Sequence, residues 1–312
     1  MSLAESNAAA LDRDPRSISV GSRRYSILDL WSQGQRAELL IGVAAGATSL
    51  EELVLIKRFR PEVVSTDWVW LVPELELARR LSHRNIVRTV DAEFEPGRCV
   101  MIKEYVEGAS LEACLDWSDA AHSRFPNAAI AHILFALLDA VKHARREAHS
   151  PLARLLAHTP IAAEDVFITY AGQVKLLGFK SAPQGAREDN APRRPLAVDL
   201  LLERQRNPEL DVLLRDLPAE ARAFQGDSGE RLRHALQRTE REDPHGNGRG
   251  LLARLMRNVL RQAHATQALR LVAAFAALQR TDAQRTLRPG TEDAPAASGV
   301  RRARDRNLQS LR

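Results

Sequence analysis

The side chains whose type and spacing point to chemistry lie in two stretches. The first is "VLIKRF" followed by "PELELARRLSH", which hold Lys57 and Glu74. The second, "AHTPIAAEDVFITYAGQVKLLGFKSA", runs from Ala157 to Ala182 and holds His158, Asp165, Lys175 and Lys180. A carboxylate such as Asp165 can ligate a hard cation through oxygen. Two cysteines, Cys99 and Cys114, fit a reducing compartment and suggest neither a disulfide framework nor a metal site. His122, His132, His143 and His149 share no metal-like spacing with cysteines or carboxylates, so no metal centre is assigned.

The elements that must position these groups can be read from periodicity. Residues 1–20 lack any and are expected to be a disordered tail. "RYSILDL", "RAELLIGVA" and "ELVLIKRF" are strand-like, interrupted by Gly34, Gly42 and Gly46. "STDWVWLVPELELARRLSH" has apolar residues at helical spacing, with Ser65 or Thr66 as its cap. Two strands follow, "VRTVDAEFE" and "CVMIKEYVEG", with Pro96-Gly97 as their turn. The clearest helix is "NAAIAHILFALLDAVKHARREA". "VFITY" and "QVKLLGF" form a hairpin across Ala171-Gly172. Residues 181–207 read mostly as loop; helices return at "PELDVLLRDL", "SGERLRHALQRTER" and, as one long helix or a pair, "LLARLMRNVLRQAHATQALRLVAAFAALQR". From Thr281 the chain is expected to be disordered. Five strands with one helix among them, then a mainly helical half with a hairpin, make an α+β chain in two lobes.

Composition bounds the function. The chain has 312 residues, 45% hydrophobic and 27% charged, which suits a soluble globular protein. No apolar run reaches membrane length and the start lacks a signal-peptide layout, so a cytoplasmic protein without a membrane partner is expected. Five arginines (Arg301, Arg302, Arg304, Arg306, Arg312) against Asp305 place +4 of the net +5 charge after Gly299. The basic balance therefore belongs to a tail, and nucleic-acid binding is disfavoured because it needs a basic face within the fold.

Taken together, the order of elements and motifs resembles the eukaryotic-type serine/threonine protein kinase family, particularly its bacterial members. The likeness runs from Tyr25 to Ala182 and returns weakly over Asn207–Arg238. "VLIKRF" is similar to V-A-I-K, which puts Lys57 in the place of the lysine that pairs the nucleotide's phosphates. Glu74 matches the helix glutamate that holds that lysine, and "RRLSHRNIV" looks like L-x-H-P-N-I-V. A lysine on a strand and a glutamate on a packed helix make a charge pair that fixes the helix to the sheet. "IKEYVEGASL" resembles the hinge, and "QVKLLGF" the strand leading into D-F-G.

The positions that carry the family's chemistry have changed. H-R-D-x-x-x-x-N reads "HTPIAAED". His158 is kept; Thr159 replaces the arginine; Pro160, with no side-chain acceptor, replaces the proton-accepting aspartate; Asp165 stands at the metal-binding asparagine. D-F-G reads Gly178-Phe179-Lys180, without its magnesium ligand. In the glycine-rich loop only Gly34 is retained, with Ser32 and Ala37 at glycine positions. Leu55, Phe167 and the gatekeeper Lys103 crowd the purine pocket. Buried Lys103 needs a partner, for which Glu74 is a candidate. Only 44 residues separate Gly178 from Arg222, too few for an activation segment and peptide platform.

The balance favours bland roles for what survives. Lys57 and Glu74 read as a lobe-stabilising ion pair, His158 and Phe179 as core, Asp165 as a polar loop residue rather than a metal ligand, and Lys175 and Lys180 as solvated. The leucine stripe of 251–278 reads as an added core helix replacing missing C-lobe helices. The expected organisation is a tail (1–20), a kinase-like β-rich N-lobe with one helix (21–108), a truncated, remodelled helical C-lobe (109–280) and a disordered basic tail (281–312). The resemblance thus implies a pseudokinase that binds a partner protein, a kinase or its substrate, as a regulatory scaffold. No cofactor is expected beyond weak, metal-independent nucleotide binding. The alternative is an atypical active phosphotransferase with ATP and magnesium held through Lys57, Glu74 and Asp165.

Overall fold

Period-two alternation along "LVLIKRF" sets the architecture. Val54 and Ile56 turn to one face of the strand; Leu55, Lys57 and Phe59 turn to the other. In the computed structural model, which describes residues 16–121, 125–157, 161–179, 201, 248–263 and 265–286, this strand lies within a six-stranded antiparallel sheet. Its members are β1 (Ser17–Val20), β2 (Arg23–Gln33), β3 (Ala37–Ala44), β4 (Leu53–Phe59), β5 (Thr89–Glu95) and β6 (Arg98–Glu104), in the order β1-β2-β3-β4-β6-β5. Pairing of Leu55 with Lys103 and of Lys57 with Met101 puts these four side chains on the inner face. Ile56 and Ile102 turn outward and pack with Ile18, Val20, Tyr25 and Leu40.

Strand β1 corrects the expected 1–20 tail. The alternation Ser17-Ile18-Ser19-Val20 buries its two apolar residues, so the chain joins the sheet at Ser17 and the sheet gains a sixth strand. The helix expected from Ser65 is also two helices, α1 (Pro61–Thr66) and α2 (Trp68–Arg80). Pro61, suited to a first helical position, starts α1 earlier. Ser65 and Thr66 cap nothing; their hydroxyls donate back to the carbonyls of Pro61 and Glu62.

Below the sheet, β7 (Gly108–Ser110) pairs with β8 (Val166–Thr169), which pairs with β9 (Val174–Leu176). Gly108 therefore belongs to the lower lobe rather than closing the upper one. Helices α3 (Leu111–Ala120), α4 (Asn127–Glu147) and α5 (Pro151–Leu156) complete this part, with α4 at its centre: twelve of its residues are buried. The β8–β9 turn falls at Gly172, as expected, with φ +72° and its amide donating to Thr169 O at 2.8 Å.

Two helices close the described chain, α6 (Gly248–Ala263) and α7 (Ala265–Thr286). Leu252, Leu255 and Met256 of α6 are buried in the main core with α4, so α6 fills the role expected of the leucine stripe. Helix α7 continues past Thr281, where disorder was expected. It also leaves the lower lobe: its contacts run to β2 of the sheet. No helix among the described residues is long and apolar enough to cross a membrane.

Candidate functional site

Between the lobes, the inner face of β4 meets α2. Lys57 Nζ donates to Glu74 Oε1 at 2.6 Å, with both residues buried. The ammonium also lies 4.3 Å from the Phe59 ring centroid. The charge pair expected from two separate stretches is therefore formed. A third residue, not singled out in the sequence, joins it. Arg36, from the β2–β3 turn, lies 3.4 Å from Asp67 Oδ2 and 3.9 Å from Glu74 Oε2. The same turn is stitched to the start of α1: Arg60 Nε donates to Gly34 O at 3.1 Å, and Arg60 N to Arg36 O at 3.0 Å. Gly34 thus belongs to a tight, pinned hairpin.

Behind the pair the space is closed. A void of only ≈ 10 Å³ lies among Lys57, Glu74, Met101, Lys103, Gly178 and Phe179. Lys103 Nζ donates to Thr89 Oγ1, a hydroxyl on β5, at 3.0 Å, while the expected Glu74 carboxylate pairs with Lys57. Thr89 pairs with Lys103 across the β5–β6 ladder, which makes it the nearer group. Gly178 has φ +153°, a conformation that side-chain-bearing residues rarely adopt. A Cβ built there would point at Lys103 Nζ, 3.7 Å away.

The purine pocket is packed. Leu55 and Phe167 meet in one cluster with Val87, Val106 and Leu177, as their sizes suggested. Trp31 covers them, its ring 5.4 Å from Phe167 and 5.5 Å from Tyr105, both edge-on. Sequence reading missed Trp31. It is the extra residue at a register shift between Leu30 and Ser32, and a bulge turns a side chain without leaving any periodic signal. In front, a cavity of ≈ 320 Å³ stays open, lined among others by Trp31, Arg36, Lys57, Glu164, Asp165 and Phe167.

Asp165, expected to be a polar loop residue, is not at the surface. It is buried in a 3-10 turn (Ala163–Asp165), and its carbonyl accepts from Leu177 N at 2.8 Å. Lys175 is not solvated either: it forms an ion pair with Glu104, which draws β9 to the hinge. Burial raises the Cys99 and Cys114 thiols to about 12, so neither is a nucleophile at neutral pH. No cluster of three metal-ligating side chains occurs among the described residues. His158, Thr159, Pro160 and Lys180 lie outside the described residues.

The kinase resemblance implies magnesium and a nucleotide here, and the position of its main magnesium ligand offers the cation no carboxylate. Gly178 brings no side-chain ligand, an ammonium faces it, and Leu55, Trp31 and Phe167 pack together where the resemblance puts the purine.

A family model of the protein kinase domain matches residues 42–195. The tyrosine-protein kinase MasK of Myxococcus xanthus is 28% identical over 168 residues, 52% of this chain and 26% of that protein. A probable serine/threonine-protein kinase of Dictyostelium discoideum is 27% identical over 162 residues, 49% of this chain and 24% of that protein. The chain spans about a quarter of the length of these relatives. Among solved structures, the PknI kinase domain of Mycobacterium tuberculosis is similar with a TM-score of 0.52 at 18% identity, covering 72% of this chain and 98% of that one. A double mutant of the same domain gives 0.53. At that identity the likeness speaks for the fold. With the two lobes, the Lys57–Glu74 pair and the matched residues agreeing, the chain has the fold of a protein kinase domain and is similar in sequence to the protein kinase family over residues 42–195.

Proposed function

We propose that this chain is a pseudokinase: a kinase fold that no longer transfers phosphate and acts in the cytoplasm as a binding or regulatory scaffold. Its partner is a protein, a true kinase or a kinase's substrate. One observation carries the reading. Where the family's cation-binding aspartate would stand, Gly178 adopts a glycine conformation and the Lys103 ammonium faces the place of the missing side chain. A positive charge there opposes a divalent cation, which phosphoryl transfer needs to neutralise the moving group. The Lys57–Glu74 pair then serves to lock α2 to the sheet.

Thermal denaturation with ATP, with and without magnesium, tests this. A ligand selective for the native state must stabilise it, by about 2.7 kcal/mol at a hundred times its Kd. The expected result is no magnesium-dependent shift and no phosphorylation of protein or peptide substrates. A strong shift that needs magnesium would sink the proposal.

A second reading has support of its own. The ion pair is intact at 2.6 Å, and the ≈ 320 Å³ front cavity has Lys57 and Asp165 in its lining. An atypical phosphotransferase using Asp165 as its oxygen ligand would show that same magnesium-dependent shift, abolished by Asp165→Ala.

A further inference from the structure

We infer that α7 is an autoinhibitory strap, holding Trp31 over the purine pocket by pressing on β2. This rests on the reading above that Trp31 fills that pocket.

The helix crosses between the lobes. Its predecessor α6 is rooted in the lower lobe, where Leu252 and Met256 are fully buried and Met256 Sδ lies 3.4 Å from Cys114 Sγ. Helix α7 then lies on the sheet, outside the residues the kinase family model matches. Leu271, Ala274, Phe275 and Leu278 recur at i, i+3, i+4 and i+7, a single face. Leu271 is buried and the other three are half-buried, while Leu269 and Val272 are 70% and 52% exposed. Two polar contacts fix the ends. Arg270 Nε lies 3.9 Å from Asp29 Oδ2, a buried oxygen with no hydrogen bond. Gln279 Nε2 donates to Ala47 O at 2.8 Å. Among the described residues the seam has one buried and three half-buried apolar side chains, one long ion pair and one hydrogen bond, the kind of contact that opens well before the core does.

What it presses on matters. Strand β2 has register shifts on both sides of Asp29 and Leu30, leaving Leu28 and Trp31 as extra residues. A bulged strand is locally short of ladder bonds, so its side-chain directions depend on what packs against it. Asp29, held by Arg270, is two residues from Trp31, whose ring covers Leu55 and Phe167. Docked α7 keeps the plug seated. Released α7 frees the Asp29–Trp31 segment and opens the pocket to a flat purine base, without metal.

The test uses the full chain carrying Arg270→Glu, which is safe for folding because Arg270 is 65% exposed, and separately Leu271→Asp. Three quantities are read: amide exchange of residues 27–31, acrylamide quenching of Trp31 (by difference from Trp31→Phe counterparts), and stabilisation by adenosine. The expected result is roughly tenfold faster exchange at 27–31 with stronger Trp31 quenching, and adenosine stabilisation in the variants alone. Loosened α7 amides with unchanged exchange at 27–31 and unchanged quenching would overturn the coupling. So would α7 protection that survives both substitutions, or global unfolding by Leu271→Asp, which would make α7 core rather than strap. Adenosine stabilising the unsubstituted chain would instead sink the plugged-pocket reading, leaving exchange to judge the strap.

Discussion

Replacing Gly178 by aspartate restores the family's letter but is expected to restore neither its cation nor its chemistry. Two terms decide the outcome. The backbone at φ +153° is open to glycine, and a side-chain-bearing residue there stores about 1–3 kcal/mol of strain. The added Cβ meets nothing closer than Lys103 Nζ at 3.7 Å, so strain is the whole effect for Gly178→Ala. In a domain of about 150–250 residues that lowers Tm by about 2–12 °C. Aspartate carries the same strain but also meets the ammonium. At about 4 Å and an effective dielectric of about 20 the attraction is about 4 kcal/mol, before several kcal/mol of desolvation. The pair therefore offsets its own desolvation at best and leaves the strain in place. Gly178→Asp should match Gly178→Ala to within about 1 kcal/mol, and its carboxylate should be tied to Lys103. In a Lys103→Met background the carboxylate loses that partner, and Gly178→Asp should become worse than Gly178→Ala by about 3–5 kcal/mol. Urea denaturation at pH 7.5, with and without millimolar magnesium, measures all four variants. Stabilisation of the Gly178→Asp chain by magnesium, or indifference of the two aspartate variants to Lys103, would refute the reasoning.

Further outcomes follow from the same geometry. Glu74→Gln leaves the buried Lys57 ammonium without its countercharge and should cost about 3–5 kcal/mol in urea denaturation, although no catalysis is at stake. Leu55→Ala combined with Trp31→Ala should open the purine pocket, so that adenosine raises the melting temperature of that variant and not of the parent. Met256→Ala should cost about 2–5 kcal/mol, showing that α6 belongs to the lower core. Burial, above all, holds His83 and His132 below their ordinary pKa of 6.5. Below pH 6.5 the unfolded chain takes up protons before the folded one, so stability is complete above that value and drains as pH falls. Urea midpoints between pH 7.5 and 5.5 should fall accordingly, and His132→Asn should flatten the slope.

Much of the site was legible because it obeys local rules. Strand-like "ELVLIKRF" and the helical spacing of the stretch holding Glu74 marked the two elements, and the kinase resemblance paired Lys57 with Glu74 across them. The kinase resemblance placed Leu55, Lys103 and Phe167 at the pocket, and their side-chain volumes then implied crowding. What was misread depended on neighbours distant in sequence. Lys103 met Thr89, and Lys175 paired with Glu104 rather than staying solvated, because the strand pairings brought unforeseen groups close. At Ser17–Val20, alternation was present but too short to stand out until β2 paired with it.

Sequence by itself determined which functional groups are present. Gly178 has no carboxylate and Pro160 no side-chain acceptor, whatever the fold, since an atom missing from a residue cannot be supplied by packing. Only the tertiary structure decided what took their room. The Trp31 ring over Phe167, the Lys103 ammonium facing Gly178, and α7 lying on β2 join positions 75 to more than 200 residues apart. Such contacts are set by through-space distance and shape in the folded chain, and no local pattern records them.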